Sequence, residues 1–199
     1  AMTPDGHAMA FAARTREAGV TRVICPPFVC LAAVRDALAE ADPSVAVGAQ
    51  TIHHEQAGAY TGETSASMLA GLATWVIVGH SERRRDAAET DALISRKLGR
   101  AADAGLRPIL CVGEQLDERE SGAAVRVVDG QLRGALEGHD PAALAAAGLV
   151  IAYEPVWAIG TGLTPTAADV EQVHRFIRGV LTDRFKAEGG KIRILYGGS

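Results

Sequence analysis

A chain of 199 residues, 48% of them hydrophobic, with a net charge of −4, has the apolar content for one substantial core and one domain. The mild acidity argues against nucleic acid or an anionic membrane as a general partner, and no apolar run reaches membrane-spanning length. Three irregularly spaced cysteines, Cys25, Cys30 and Cys111, make no metal-type Cys-x-x-Cys pair, and the first residues lack the charged-then-apolar layout of a signal peptide. Both features fit a reduced cytoplasmic protein.

Thr3-Pro4-Asp5 opens a helix that continues from Ala8 to Ala18, with Gly19 at its C′ position. Val20 to Cys25 is a strand stopped by Pro26-Pro27, and Val29 to Ala41 has helical periodicity. Val45 to Gln50 forms a second strand, followed by a long polar loop over 51–64. A short helix, Ser65 to Leu72, leads into the strand Thr74 to Gly79, which ends at His80. Next come a helix from Thr90 to Ala104, a strand from Pro108 to Val112, and helices over Gly122–Leu136 and Pro141–Ala147. The fifth strand is Leu149 to Tyr153. Thr164 and Pro165 read as the N-cap and first residue of a helix reaching about Phe185, and Ile192 to Tyr196 is the sixth strand.

The strands are continuous Val/Ile/Leu runs, as when both faces are buried, and they alternate with helices. That pattern predicts an α/β fold with a parallel sheet and right-handed crossovers. Polar residues fall after each strand: Gln50, His80, Gly113-Glu114, Glu154 and Gly197 to Ser199. Such a distribution suits a (β/α)8 barrel, whose chemistry lies on the C-terminal rim, better than an open doubly wound sheet with one switch point. Only six strands are visible, however, where such barrels typically need eight and ~250 residues. The expectation is a single barrel domain over 1–199, incomplete at both ends. One strand would precede Thr3, and one strand–helix unit would follow Ser199. Without them two apolar edges would face water.

The stretch richest in chemistry is Ala152 to Gly162. An apolar strand ends in the carboxylate of Glu154, and Pro155 prevents the ladder from continuing. Pro155, Val156, Trp157, Ala158, Ile159, Gly160, Thr161 and Gly162 then form an uncharged, bulky loop that suits a closing lid. A carboxylate under such a lid suits a general base, since closure removes water and protects a reactive intermediate. His80 leaves its strand just before a helical turn, whose N–H groups disfavour its protonation, so a neutral imidazole could polarise a substrate oxygen. Gly197-Gly198-Ser199 is a turn whose backbone could approach an anion. His53 and His54, being adjacent, lack metal-ligand spacing.

The segments at 79–84 and 152–162 together resemble the triosephosphate isomerase family, and the resemblance extends in order over essentially the whole chain. It implies an intramolecular aldose–ketose isomerase that interconverts dihydroxyacetone phosphate and D-glyceraldehyde 3-phosphate through an enediol, in glycolysis and gluconeogenesis. Glu154 would be the base, His80 the electrophile, and Glu82 would anchor a catalytic ammonium; this division of roles is the family's and is carried over. Gly160, Ile159 and Ser199 would bind substrate, with Ser199 also latching the lid. The loop over 50–63 would insert into a second subunit, with Thr61 reaching the partner's site, which implies a homodimer. No metal or organic cofactor is implied, and the partner is a small phosphorylated sugar. Several departures stand out. Nothing before Thr3 contains the family's Asn-x-Lys element, and Lys97, Lys186 and Lys191 are not placed to replace its lysine, so a protein of only these residues is expected to lose activity severely. Arg85-Asp86-Ala87-Ala88 stands where the family has aromatic and glycine residues, and Leu163 replaces a common lysine. The competing readings are an isomerase of another small ketose phosphate, such as a four-carbon one, and a non-catalytic barrel fragment.

Overall fold

The computed structural model describes residues 4–15 and 17–198, so Thr3 and Ser199 lie outside the described residues. Helix α1 spans Pro4–Arg14 and strand β1 Arg22–Ile24, followed by a 3-10 turn at Phe28–Cys30 and α2 at Leu31–Ala41. Strand β2 (Val45–Ala49), a 3-10 turn (Ala66–Leu69) and β3 (Trp75–Val78) come next. They are followed by α3 (Ser81–Asp86), α4 (Asp91–Asp103), β4 (Arg107–Val112), α5 (Leu116–Glu120), α6 (Ala124–Leu136) and α7 (Pro141–Ala146). The chain closes with β5 (Val150–Tyr153), α8 (Ala167–Phe185) and β6 (Arg193–Tyr196), the last two separated by a short 3-10 turn. Every predicted strand is present within a residue or two. Helix α3 is the helical turn expected after His80, whereas α5 has no counterpart in the predicted elements. Helix α8 starts after Thr166, whose hydroxyl accepts the Asp169 N–H while Asp169 caps in return, so Thr164 and Pro165 lie outside it. A reciprocal capping box fixes a helix start more firmly than a proline alone.

All six strands are parallel and lie in the order β1-β2-β3-β4-β5-β6. The sheet curls enough for Nη1 of Arg193, on the last strand, to donate to Oγ1 of Thr21, just before the first, at 3.2 Å. Register divides the strand residues into two faces. Val45, Val47 and Ala49, then Val76 and Val78, Leu110 and Val112, Ile151 and Tyr153 share one face, and all are buried. The helices bury matching stripes on that face: Ile94, Leu98 and Ala101 of α4, Val128, Leu132 and Leu136 of α6, Val173, Ile177 and Leu181 of α8. Each such aliphatic side chain contributes roughly 1.5–3 kcal/mol by leaving water, so this helix–sheet layer is the main core. On the inner face, Val23, Trp75, Ile109, Val150, Arg193 and Leu195 line a cavity of about 470 Å³. No described helix is long and apolar enough to cross a membrane.

Candidate active site

Strand alternation puts Tyr153 against the helices and points Glu154 toward the inner face. The Glu154 N–H still donates to Val112 O at 2.8 Å, so the carboxylate sits on the last rung of the ladder. Glu154 is only 6% exposed. Its Oε1 lies 2.9 Å from Nε2 of His80, and its Oε2 accepts the Ser81 N–H at 3.1 Å.

His80 arrives at this point because the chain turns at Gly79. Simple continuation of β3 would send residue 80 toward the helices, but Gly79 has φ +74°, where a side chain is strained, and a Cβ there would press on Ile94 and Arg84 at 3.2 Å. The guanidinium of Arg84 fastens the turn by donating to the carbonyls of Gly79 (2.9 Å) and Cys111 (3.3 Å). His80 then caps α3, its Nδ1 accepting the Glu82 N–H at 3.3 Å. A ring nitrogen that accepts carries no proton, so in the neutral ring the proton sits on Nε2, facing Glu154. The sequence led us to expect that the turn's N–H groups would disfavour protonation of His80. Instead its pKa is raised above the ordinary value, because the hydrogen bond that it donates to Glu154 outweighs burial.

The remaining predicted site residues are placed as follows. Glu82 is turned to solvent, its carboxylate 3.9 Å from Nδ1 of His80. Lys97 is buried and donates to Glu89 Oε1 (2.6 Å) and Thr51 Oγ1 (3.0 Å), so its ammonium is already engaged. Pro155 precedes a single 3-10 turn of Val156, Trp157 and Ala158, Ile159 is extended and half-buried, and Gly160 and Gly162 are exposed. Thr161 Oγ1 donates to Trp157 O at 2.8 Å and accepts the Leu163 N–H at 3.2 Å, which gives the loop internal order. The Gly197 N–H donates to Tyr153 O at 2.7 Å, which brings the Gly197-Gly198 turn beside Glu154; Ser199 is outside the described residues. Thr61 is exposed on a loop whose base is pinned by the His53 N–H donating to Thr64 O at 2.8 Å. His53 packs against Tyr60 with ring centroids 4.3 Å apart, an aromatic contact rather than a metal site. Among the described residues no group of His, Cys, Asp or Glu side chains could hold a metal. Cys111 is buried beneath the site, and burial pushes its thiol well up, which suits packing and not nucleophilic chemistry.

Three supporting residues were not foreseen as such. Glu114 is fully buried and accepts from the Tyr153 hydroxyl (2.9 Å) and Trp157 Nε1 (2.8 Å), and its carbonyl accepts the Val156 N–H (3.1 Å). It thereby anchors the start of the loop. Gln131, on α6, uses its amide as a strand would: Oε1 accepts the Gly113 N–H (2.8 Å) and Nε2 donates to Gly113 O (3.0 Å). Gly113 in turn abuts the base, since a Cβ there would lie 1.6 Å from Glu154 O. Arg119 pairs with both Glu114 and Asp169. The sequence signal was a Gly-Glu pair after β4 and nothing more.

A family model described as triosephosphate isomerase matches residues 6–199. The chain belongs to the triosephosphate isomerase family. It is 52% identical over 178 residues to the triosephosphate isomerase of Bradyrhizobium diazoefficiens, covering 89% of this chain and 68% of that protein. It is 51% identical to that of Thermus thermophilus, covering 88% and 70%. Among solved structures, the triosephosphate isomerase of Bartonella henselae superposes with a TM-score of 0.81 at 39% identity, over 97% of this chain and 75% of the other. The curled parallel sheet is therefore that of a TIM barrel, and membership of an isomerase family fits a carboxylate and an imidazole in contact at its C-terminal rim.

Proposed function

We propose that this protein interconverts dihydroxyacetone phosphate and D-glyceraldehyde 3-phosphate, with Glu154 as the base and His80 as the electrophile. The carrying observation is the pair itself: a buried carboxylate 2.9 Å from Nε2 of an imidazole, at the inner end of β5. Both carboxylate oxygens are engaged, by His80 and by the Ser81 N–H, so substrate must exchange for these partners before chemistry starts. Glu154 then takes a proton from the carbon beside the carbonyl, and Nε2–H of His80 stabilises the charge that develops on the oxygen. Glu154 returns a proton to the adjacent carbon while His80 carries the hydroxyl proton from one enediol oxygen to the other, so no electrons leave the substrate and no cofactor enters the balance. The apolar loop 155–163 excludes water from the enediol, and the Gly160 N–H faces the phosphate in this reading. In this reading Glu82 anchors a catalytic ammonium, and Thr61 belongs to a homodimer contact in a cytoplasmic enzyme.

Turnover of three- and four-carbon ketose phosphates, together with 2-phosphoglycolate binding, tests the assignment. Faster turnover of the three-carbon substrate supports it. Preference for the four-carbon one moves the protein to a related isomerase, because pocket volume alone separates the two. Neither turnover nor anion binding would mark a non-catalytic module.

A further inference from the structure

We propose that Arg119 is a positioning residue that ties together the two ends of the 155–166 segment, so that they loosen and tighten as one. Trp157 and Asp169 are 12 residues apart and flank opposite ends of the loop. The Arg119 guanidinium lies 5.7 Å from the centroid of the Trp157 ring, and its Nη2 is hydrogen-bonded to Oδ1 of Asp169. Its Nη1 is also 3.6 Å from Oε1 of Glu114, the same oxygen that receives the Trp157 indole N–H. At the far end, Asp169 divides its oxygens: Oδ2 accepts from the Thr166 N–H (3.0 Å) and hydroxyl (2.7 Å), which fixes the start of α8, while Oδ1 faces Arg119.

One guanidinium therefore lies over the indole at the loop's entry and is hydrogen-bonded to the cap at its exit. Arg suits this place because a planar fork can stack on a ring while donating to carboxylates in two directions, which an ammonium cannot do. A second observation concerns Glu114. Its Oε2 is buried without a hydrogen-bond partner, and among the described residues Arg119 is the one cation paired with this fully buried carboxylate. A plain counter-ion role would end there. The contact with Asp169 has no such explanation, because Asp169 already completes a capping box with Thr166. That the coupled segment closes over a phosphate ester rests on the proposed function; the coupling itself does not.

Hydrogen exchange followed by mass spectrometry on the 199-residue chain, as R119M, R119K and D169N, tests the inference. R119M is expected to speed exchange across both 156–163 and 166–170, by about fivefold or more. R119K should restore part of the protection. D169N, which alters only the exit end directly, should also speed exchange at 156–159. An effect of R119M confined to 114–120, or of D169N confined to 166–170, would overturn the coupling. If R119M does not fold, R119K and D169N decide between the same outcomes. Adding 2-phosphoglycolate in a W75F background isolates Trp157 fluorescence as a second readout. A response in the parent chain that R119K leaves unchanged in rate and extent would also overturn the role of Arg119. No response in the parent chain would count against the proposed function, while the exchange result would still stand for the coupling.

Discussion

Asp42 and Glu154 are both buried carboxylates, at opposite rims of the same sheet. Asp42 accepts from Arg22 (2.9 Å) and from the Ser44 hydroxyl and N–H (2.6 and 3.1 Å), and Arg22 also donates to Ala12 O at the end of α1. Ser44 and then Arg22 hold the Asp42 carboxyl far below the usual carboxylate range. The cluster locks α1, β1 and β2 together at the N-terminal rim. Glu154 is held instead by one backbone N–H and by an imidazole, a partner that changes charge near physiological pH. The contrast is between a carboxylate whose partners are permanent and one whose partners can be exchanged, and only the second suits catalysis.

The largest expected effect separates the two carboxylates. E154Q should lower turnover by on the order of 10²–10⁴-fold with little change in Tm. D42N should do the reverse, lowering Tm by several degrees while the folded fraction keeps its kcat. A D42N protein that folds and loses turnover as E154Q does would erase the distinction. Next comes the backbone beneath the base. In G113A a Cβ would sit 1.6 Å from Glu154 O, and backbone cannot rotate away, so the loss should exceed about 3 kcal/mol by denaturant unfolding. An unchanged unfolding midpoint would show that the β4 and β5 ends are not in contact as described. Gln131 gives a smaller effect. Q131L removes two hydrogen bonds to Gly113, costs about 1–3 kcal/mol, and should lower kcat several-fold with KM unchanged. A rise in KM alone would mean that Gln131 supports binding and not the base.

The smallest effect is the pH dependence of the His80 contact. Because the folded pKa of His80 is raised, its stabilisation is complete below the unfolded value of about 6.5 and is lost as pH rises through the higher folded value. Stability should therefore fall slightly above pH about 6.5, and H80Q should abolish that slope. Activity should rise over the same interval, since the neutral ring is the competent form in our reading. Parallel rather than opposed profiles would break the link between the contact and the chemistry.

The strands were legible because each is a short apolar run that ends at Gly, Pro or a polar residue, and the register merely sorted those residues onto two faces. His80 and Glu154 were legible as strand-end polar residues flanked by unusual neighbours. What escaped was whatever depends on contacts distant in sequence. Nothing local marks Gln131 as the partner of Gly113, 18 residues away, or Arg119 as a neighbour of Asp169, 50 residues away. The pKa direction of His80 was misjudged for the same reason: the local turn was visible, whereas the carboxylate that dominates lies 74 residues further along the chain. The start of α8 was misplaced because Pro165 is a conspicuous signal and the Thr166–Asp169 box a quiet one.

The central claim, that Glu154 moves a proton between adjacent carbons, is tested most directly by running the isomerisation of glyceraldehyde 3-phosphate in D2O and reading the product by NMR. A carboxyl proton exchanges with solvent during the enediol's lifetime, so dihydroxyacetone phosphate should carry deuterium at the carbon that received the proton, and E154Q should form none above the buffer rate. Labelled product formed by E154Q as fast as by the parent protein would contradict the account.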